Sequence, residues 1–180
     1  MKKVILATLI SGAMSASASA ANAGSGTVTF TGSIIEAACS IAPDSVDQTV
    51  ELGAVASSQL AGNGKSAPQT FEIELQNCDM TFVTDAGTPV KTVSATFTGG
   101  ISAGDTTNTQ LAIVGSASGA GVVITGANGT PVKLDGSVAT APVAIQGGKN
   151  ILQYAAYLQG NGAVVPGDFT ALTNYTLSYQ

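Results

Sequence analysis

Few side chains in this sequence can carry out covalent or acid–base chemistry. The 180 residues include two cysteines, 11 acidic residues and six lysines, but no His, Arg or Trp. Without His, the sequence excludes Ser–His–Asp and Cys–His catalysis as well as His-bearing zinc sites. Without Arg, it excludes a bidentate clamp for phosphate or carboxylate. The formal charge of -5 argues against a nucleic-acid binder, which needs clustered cations.

Paired carboxylates are the one catalytic arrangement that these absences leave open. A glycoside hydrolase needs two acidic residues, and Glu72 and Glu74 are close together. They alternate with apolar residues, however, which is typical of the solvated face of a strand. The acidic, Gly-rich segments also lack the ordered carboxylate spacing of a calcium loop. We therefore expect no enzyme activity, no metal and no cofactor.

The cysteines are interpreted through the compartment that the N-terminus predicts. Lys2 and Lys3 precede an apolar stretch over residues 4–14, and residues 21–23 have the Ala-Asn-Ala pattern of a cleavage site. The apolar stretch is shorter than the roughly 20 residues of a membrane span. This pattern predicts a signal peptide over residues 1–23 and export of the remaining chain.

Cys39 and Cys78 would then reach an oxidising compartment, where an even number of cysteines favours a disulfide. A bond between them closes a loop that stabilises the fold by about 4 kcal/mol in the chain-entropy model. A reactive thiol is the alternative, but no His, Arg or nearby Lys is present to lower the pKa of either cysteine. The sequence predicts a structural Cys39–Cys78 disulfide.

Strands are the elements that must position these residues. Apolar side chains alternate with other residues over 27–34, 46–52, 71–75, 93–97 and 174–180. The run 151–158 is apolar on both faces, as expected of a central strand. Asn128-Gly129 predicts a hairpin turn, because both residues tolerate positive φ. Many short strands between turns indicate an all-β sandwich that is immunoglobulin-like in outline.

Three sets of residues carry a resemblance to a known family. They are the Gly26–Gly32 motif leading to Cys39, the 45–53 segment followed by 71–75 and Cys78, and the C-terminal Tyr175-Thr176-Leu177-Ser178-Tyr179-Gln180. Their order and spacing resemble the subunits of chaperone–usher fimbriae, close to the type 1 major pilins. The resemblance implies an incomplete immunoglobulin-like sandwich over residues 37–180, preceded by a donor-strand extension over residues 24–36.

The family mechanism assigns roles to particular residues. A periplasmic chaperone first fills the open groove of such a subunit, and at the outer-membrane usher the extension of another subunit replaces the chaperone strand. The resemblance implies that the extension inserts Val28, Phe30, Gly32 and Ile34. It also implies that Tyr175, Leu177 and Tyr179 line the acceptor strand, while the chaperone grips the carboxylate of Gln180. Alternation alone favours the alternative that residues 27–35 are an ordinary edge strand of their own domain, and the resemblance reverses this preference.

The resulting expectation is a structural subunit of a surface fimbria, exported through the periplasm and supporting adhesion. Identical or related pilins, the chaperone and the usher would be its partners. A minor adaptor pilin and a single-domain carbohydrate-binding adhesin are the alternatives. The absence of Trp and the presence of only four Tyr weaken a sugar-stacking platform.

Overall fold

The structure is a computed structural model that describes residues 25–84 and 87–180. The predicted signal peptide over residues 1–23 therefore lies outside the described residues. The chain divides into residues 1–34 and residues 35–180, and each unit is described by itself. In the first unit, residues 25–34 form neither helix nor strand.

Residues 35–180 form a β-sandwich with a few short helical turns. Its helices are α1 (Pro43–Val46), α2 (Ser57–Leu60) and a 3-10 turn (Ala61–Asn63). Its strands are β1 (Ser40–Ile41), β2 (Gln69–Cys78), β3 (Thr92–Gly99), β4 (Gln110–Ala112), β5 (Val114–Gly115), β6 (Ser118–Gly126), β7 (Val143–Ala144), β8 (Gly148–Val165), β9 (Phe169–Thr170) and β10 (Thr173–Tyr179).

The larger sheet has the antiparallel order β1-β2-β8-β6-β4. β8 lies at its centre, which confirms the interpretation of residues 151–158 as a central strand. On β2, Ile73 and Leu75 are fully buried, whereas Glu72 is exposed. The alternation over residues 71–75 therefore separates a core face from a solvated face, as predicted.

The smaller sheet has the order β10-β3-β7. β10 pairs antiparallel with β3 from Thr173 opposite Gly99 to Tyr179 opposite Val93. Val93, Ala95 and Phe97 on β3 are buried, as their alternation predicts. A two-stranded ribbon of β5 and β9 adds to the sandwich.

The core fills the space between the two sheets. Phe97 from the smaller sheet meets Tyr154 of β8 edge to face, with ring centroids 5.1 Å apart. Leu134 and Leu152 are also fully buried in this core. Burial of each such side chain stabilises the fold by about 1.5–3 kcal/mol, so the apolar faces of both sheets hold the sandwich together.

Local signals outside the strands also agree with the structure. At Asn128-Gly129 the chain turns, with Gly129 at φ 73° and its amide donating to the carbonyl of Gly126. Cys39 and Cys78 form the predicted disulfide, with their Cα atoms 4.1 Å apart. It joins the residue before β1 to the last residue of β2, at the edge of the larger sheet.

The strand predicted over residues 46–52 is wrong in this structure. Pro43 begins the short helix α1, which ends at Val46, and residues 47–56 are neither helix nor strand. A strand needs a neighbour for its backbone groups, and β10 lies on the other side of an open groove. Apolar side chains alternate over residues 46–52, but the backbone of this segment has no neighbouring strand to form hydrogen bonds with.

Candidate strand-acceptor groove

An apolar groove of about 1150 Å³ opens between the two sheets. Its floor includes the buried side chains of Ile73, Phe97 and Leu158, so the groove reaches the core of the sandwich. One wall is the irregular segment 45–55, and the other is residues 164–175. The position and lining of this groove suit an elongated apolar segment.

β10 presents an unpaired backbone edge beside this groove. Within the described residues, it has a neighbouring strand on one side only. Gln180 and Thr92 exchange two backbone hydrogen bonds, of 2.9 and 2.8 Å. Because antiparallel pairs alternate, the amides of Tyr175, Leu177 and Tyr179 point away from β3. These are free donors of the kind that an added strand satisfies.

The three residues assigned to the acceptor strand occupy different positions. Tyr175, Leu177 and Tyr179 all point inward and are half-buried against the core. Tyr175 lines the groove, whereas Leu177 and Tyr179 lie outside its lining. The hydroxyl of Tyr179 donates to the Cys39 carbonyl at 3.4 Å. The structure therefore places one of these three side chains in the groove lining, and their role as an acceptor strand stays a prediction.

Both half-buried tyrosines keep their hydroxyl protons at neutral pH. Burial raises the pKa of Tyr175, and the negative charge of Asp47 and the neighbouring Tyr179 raise it further. Burial also raises the pKa of Tyr179, although its hydrogen bond to Cys39 acts in the opposite direction. Each hydroxyl therefore serves as a hydrogen-bond donor.

The end of β10 is held by the chain itself. One carboxylate oxygen of Gln180 accepts hydrogen bonds from the amides of Lys91 and Thr92, at 2.7 and 2.8 Å. The Gln180 side chain is exposed. This residue remains accessible to a partner, but its backbone oxygen is already anchored to the start of β3.

Residues 25–34, called the leading segment or leader, carry exposed apolar side chains. The exposed fractions are 74% for Val28, 90% for Phe30 and 105% for Ile34. A Cβ atom added at Gly32 would meet no atom of the described residues within 4 Å. Large apolar side chains at such exposure gain nothing from the hydrophobic effect, so the segment has apolar surface to bury elsewhere.

Sequence reasoning missed most of the groove lining. Residues 164–172 form a wall without a strand-like alternation, and the fold alone brings them opposite residues 45–55. Val46, Val50 and Leu52 could have been identified, since their alternation marks a segment suited to pairing. The side-chain alternation gave no sign that this pairing partner would be absent, and only the family resemblance implied an open groove.

The candidate catalytic carboxylates have ordinary surface partners. Glu74 forms a 2.8 Å ion pair with Lys149, and Glu72 accepts a 3.2 Å hydrogen bond from Gln153. The part of the chain that the structure describes contains no cluster of three or more His, Cys, Asp or Glu residues suited to a metal. Over the same residues, no helix has the length and apolar character needed to cross a membrane.

An immunoglobulin-like sandwich in which one edge of the last strand is unpaired beside an open apolar groove has the architecture of a subunit that can accept a further strand. Residues 28–180 match the family model described as fimbrial protein. The chain belongs to this family and is a structural subunit of chaperone–usher fimbriae.

Proteins with similar sequences come from Serratia marcescens and Proteus mirabilis. The chain is 48% identical to the Fimbria A protein of Serratia marcescens, over 100% of this chain and 99% of the relative. It is 45% identical to the Major MR/P fimbria protein of Proteus mirabilis, over 91% of this chain and 89% of the relative.

Solved structures show the same fold. The crystal structure of the P pilus rod subunit PapA matches with a TM-score of 0.71 and 36% identity, covering 80% of this chain and 100% of PapA. A subunit from the structure of a chaperone–usher pilus matches with a TM-score of 0.77 and 36% identity, covering 88% of this chain and 97% of that subunit. These matches confirm the family inferred from the sequence motifs.

Proposed function

We propose that this protein polymerises by donor-strand exchange, with residues 24–36 of one copy entering the groove of another. The observation that carries the proposal is the unpaired edge of β10 beside a groove that opens into the core. Strand addition would satisfy the free amides of that edge, while alternate side chains enter the groove.

The leading segment has the chemistry that the groove requires. Val28, Phe30 and Ile34 alternate on one face and are exposed, so each has apolar area available for burial. Burying them contributes roughly 1.5–3 kcal/mol each, which sums to about 5–9 kcal/mol for every junction. Gly32 alternates with them in the same pattern and has no close neighbour among residues 25–84 and 87–180. A glycine there suits a point where an acceptor leaves no room for a Cβ atom.

Before polymerisation, the same groove needs a temporary occupant. A periplasmic chaperone supplies a strand and contacts the exposed Gln180, and the outer-membrane usher then exchanges that strand for the leader of the next subunit. The product is an extracellular fimbria on the cell surface that supports adhesion. This role needs burial and backbone pairing, with no catalytic step, metal or cofactor.

A rod subunit is the form of this role that the relatives favour. The Proteus mirabilis relative is a major fimbria protein, and the P pilus relative is a rod subunit. A rod consists of many identical copies, so the leader and the groove of one sequence must fit each other. We propose this abundant role in place of a minor adaptor or a single-domain adhesin.

Self-complementation tests the proposal. Residues 24–180 are exported to the periplasm, both unchanged and with residues 24–36 appended after Gln180 through a flexible linker. We expect the unchanged chain to aggregate or be degraded without a chaperone, because its groove exposes apolar core. The extended chain should be a stable monomer that resists polymerisation.

A matched control places Phe30→Asp in the appended copy, where burial of the carboxylate would be unfavourable. This version should behave like the unchanged chain. The same substitution in the natural leader should stop polymerisation but leave chaperone binding intact. A stable, soluble monomer from the unchanged chain would contradict the proposal.

A further inference from the structure

We infer that Tyr175 and Ser45 form a strut across the groove and that Tyr175 is a positioning residue for strand uptake. The inference rests on the proposed function and adds a role for one hydroxyl group. Its observation is the 2.7 Å hydrogen bond from the Tyr175 hydroxyl to the Ser45 carbonyl, which joins two segments 130 residues apart in the chain.

Ser45 is fixed to the larger sheet. It is buried, with 5% of its surface exposed, and its hydroxyl accepts a 2.9 Å hydrogen bond from the amide of Glu74 on β2. The Ser45 amide donates to the carbonyl of Ala42 at 2.8 Å. The carbonyl that Tyr175 contacts is therefore held in place, although it lies in a helix of one turn.

Tyr175 is fixed to the smaller sheet. Its backbone lies on β10 opposite Phe97 of β3, and the centroids of these two rings are 6.3 Å apart. Burial and the charge of Asp47 raise the pKa of the Tyr175 hydroxyl, so it remains a donor well above neutral pH. The strut thus links β10 to β2 through Ser45.

The position of this link suggests what it does. Ser45 and Tyr175 both line the groove and stand on opposite walls. An added strand must fit about 4.7–4.9 Å from β10 to form backbone hydrogen bonds, so the spacing of the walls matters. β10 is held by β3 on one side, and the strut restrains its other side. A groove held at a fixed width lowers the ordering cost of binding a strand.

The test compares uptake of a synthetic peptide of residues 24–36 by subunits purified as chaperone complexes. Wild-type and variant complexes compete for a limiting amount of peptide, and mass spectrometry gives the ratio of products. Tyr175→Phe removes the hydroxyl but keeps the ring. We expect it to take up peptide roughly three- to tenfold more slowly, the range expected for one net hydrogen bond.

Three further variants sharpen the comparison. Ser45→Ala removes the bond to Glu74 and should slow uptake similarly, and the double variant should be no slower than either single one. Tyr179→Phe is the matched control on the same strand, because its hydroxyl makes a long 3.4 Å bond outside the groove lining. Because so long a hydrogen bond is weak, this variant should differ from wild type by less than about twofold.

A second readout separates positioning from ordinary stabilisation. In the self-complemented chain no strand has to be exchanged, so Tyr175→Phe should leave the thermal midpoint within about 2 °C of wild type. Slower uptake together with a clearly lower midpoint would mean a merely structural bond and overturn the strut.

Other results overturn it as well. Unchanged uptake by Tyr175→Phe would show that the hydroxyl has no role, and faster uptake would make the bond a barrier to strand entry. Failure of wild-type complexes to take up peptide would instead contradict donor-strand exchange itself. If Tyr175→Phe cannot be produced, the rate of peptide uptake by Ser45→Ala is compared with that of Tyr179→Phe. Equal rates would then overturn the strut.

Discussion

Residues 27–34 and residues 71–75 have the same alternation of apolar side chains but opposite structures. Ile73 and Leu75 lie fully buried on β2, which pairs with β1 and β8. Val28 and Phe30 lie exposed in a segment that forms no strand. Alternation therefore indicates which face of a segment must be buried, but not which chain supplies the partner.

The segment 47–56 adds an intermediate case to this comparison. It lines the groove with apolar side chains, including the partly buried Leu52 and Val55, but has no strand structure. Its apolar side chains contact the core, while its backbone has no neighbouring strand to form hydrogen bonds with. In donor-strand exchange, the incoming strand would lie between this segment and β10. It would then provide backbone hydrogen-bonding partners for both of them.

Two isoleucine-to-alanine substitutions, one in each segment, should show the largest difference in stability between residues 71–75 and residues 27–34. In the self-complemented chain, Ile73→Ala should lower the free energy of unfolding by about 2–5 kcal/mol, since it leaves a cavity in the core. Ile34→Ala in the natural leader of that chain should change it by less than about 0.5 kcal/mol, because Ile34 is exposed there. Denaturant titration measures both values.

The same Ile34→Ala substitution should weaken the junction between subunits. In unmodified subunits, polymers carrying it should dissociate in less denaturant than wild-type polymers. A large loss of stability from Ile34→Ala in the self-complemented monomer would place Ile34 in the core of its own domain. That result would remove the distinction between the two segments.

A smaller effect is expected from lowering the pH. It concerns the loop around Asp105, whose carboxylate accepts hydrogen bonds from the same chain. Asp105 is partly desolvated by burial, which raises its pKa, but hydrogen bonds from Thr107, Gln110 and Thr109 outweigh this and lower the pKa overall. A carboxyl group with a lowered pKa stabilises the fold above the unfolded value of 3.8. This contribution is lost as the pH falls through the lower folded pKa.

Asp105→Asn in the self-complemented chain should therefore lower the thermal midpoint slightly at pH 7 and flatten its decline below pH 4. Circular dichroism melts from pH 7 to pH 2 measure this, with Asp168→Asn as the control. If the thermal midpoint depends on pH identically in wild type and Asp105→Asn, the Asp105 carboxylate does not stabilise the sandwich over residues 35–180.

Much of the fold was predictable because its signals are local. β2, β3 and β10 follow from period-two alternation, and β8 follows from a run that is apolar on both faces. The turn at Asn128-Gly129 depends on backbone preferences of two adjacent residues. The Cys39–Cys78 disulfide follows from compartment and count.

The rest depends on contacts between residues distant in sequence. The groove wall over residues 164–172 and the bond between Tyr175 and Ser45 exist because the sheets bring them together. The anchoring of Gln180 by Lys91 and Thr92 likewise depends on the register of β10 against β3. Side-chain periodicity restricts the register only to steps of two residues, and it indicates neither the partner strand nor a missing neighbour.

Amide exchange along β10 tests the central claim most directly. Assembled fimbriae are exposed to deuterated water, quenched, dissolved and fragmented for mass spectrometry with single-residue resolution. The amides of Tyr175, Leu177 and Tyr179 point away from β3, so their protection requires a strand from elsewhere. The account predicts that they exchange as slowly in the fimbria as those of Thr176 and Ser178, which face β3. Rapid exchange of these three amides in intact fimbriae would contradict it.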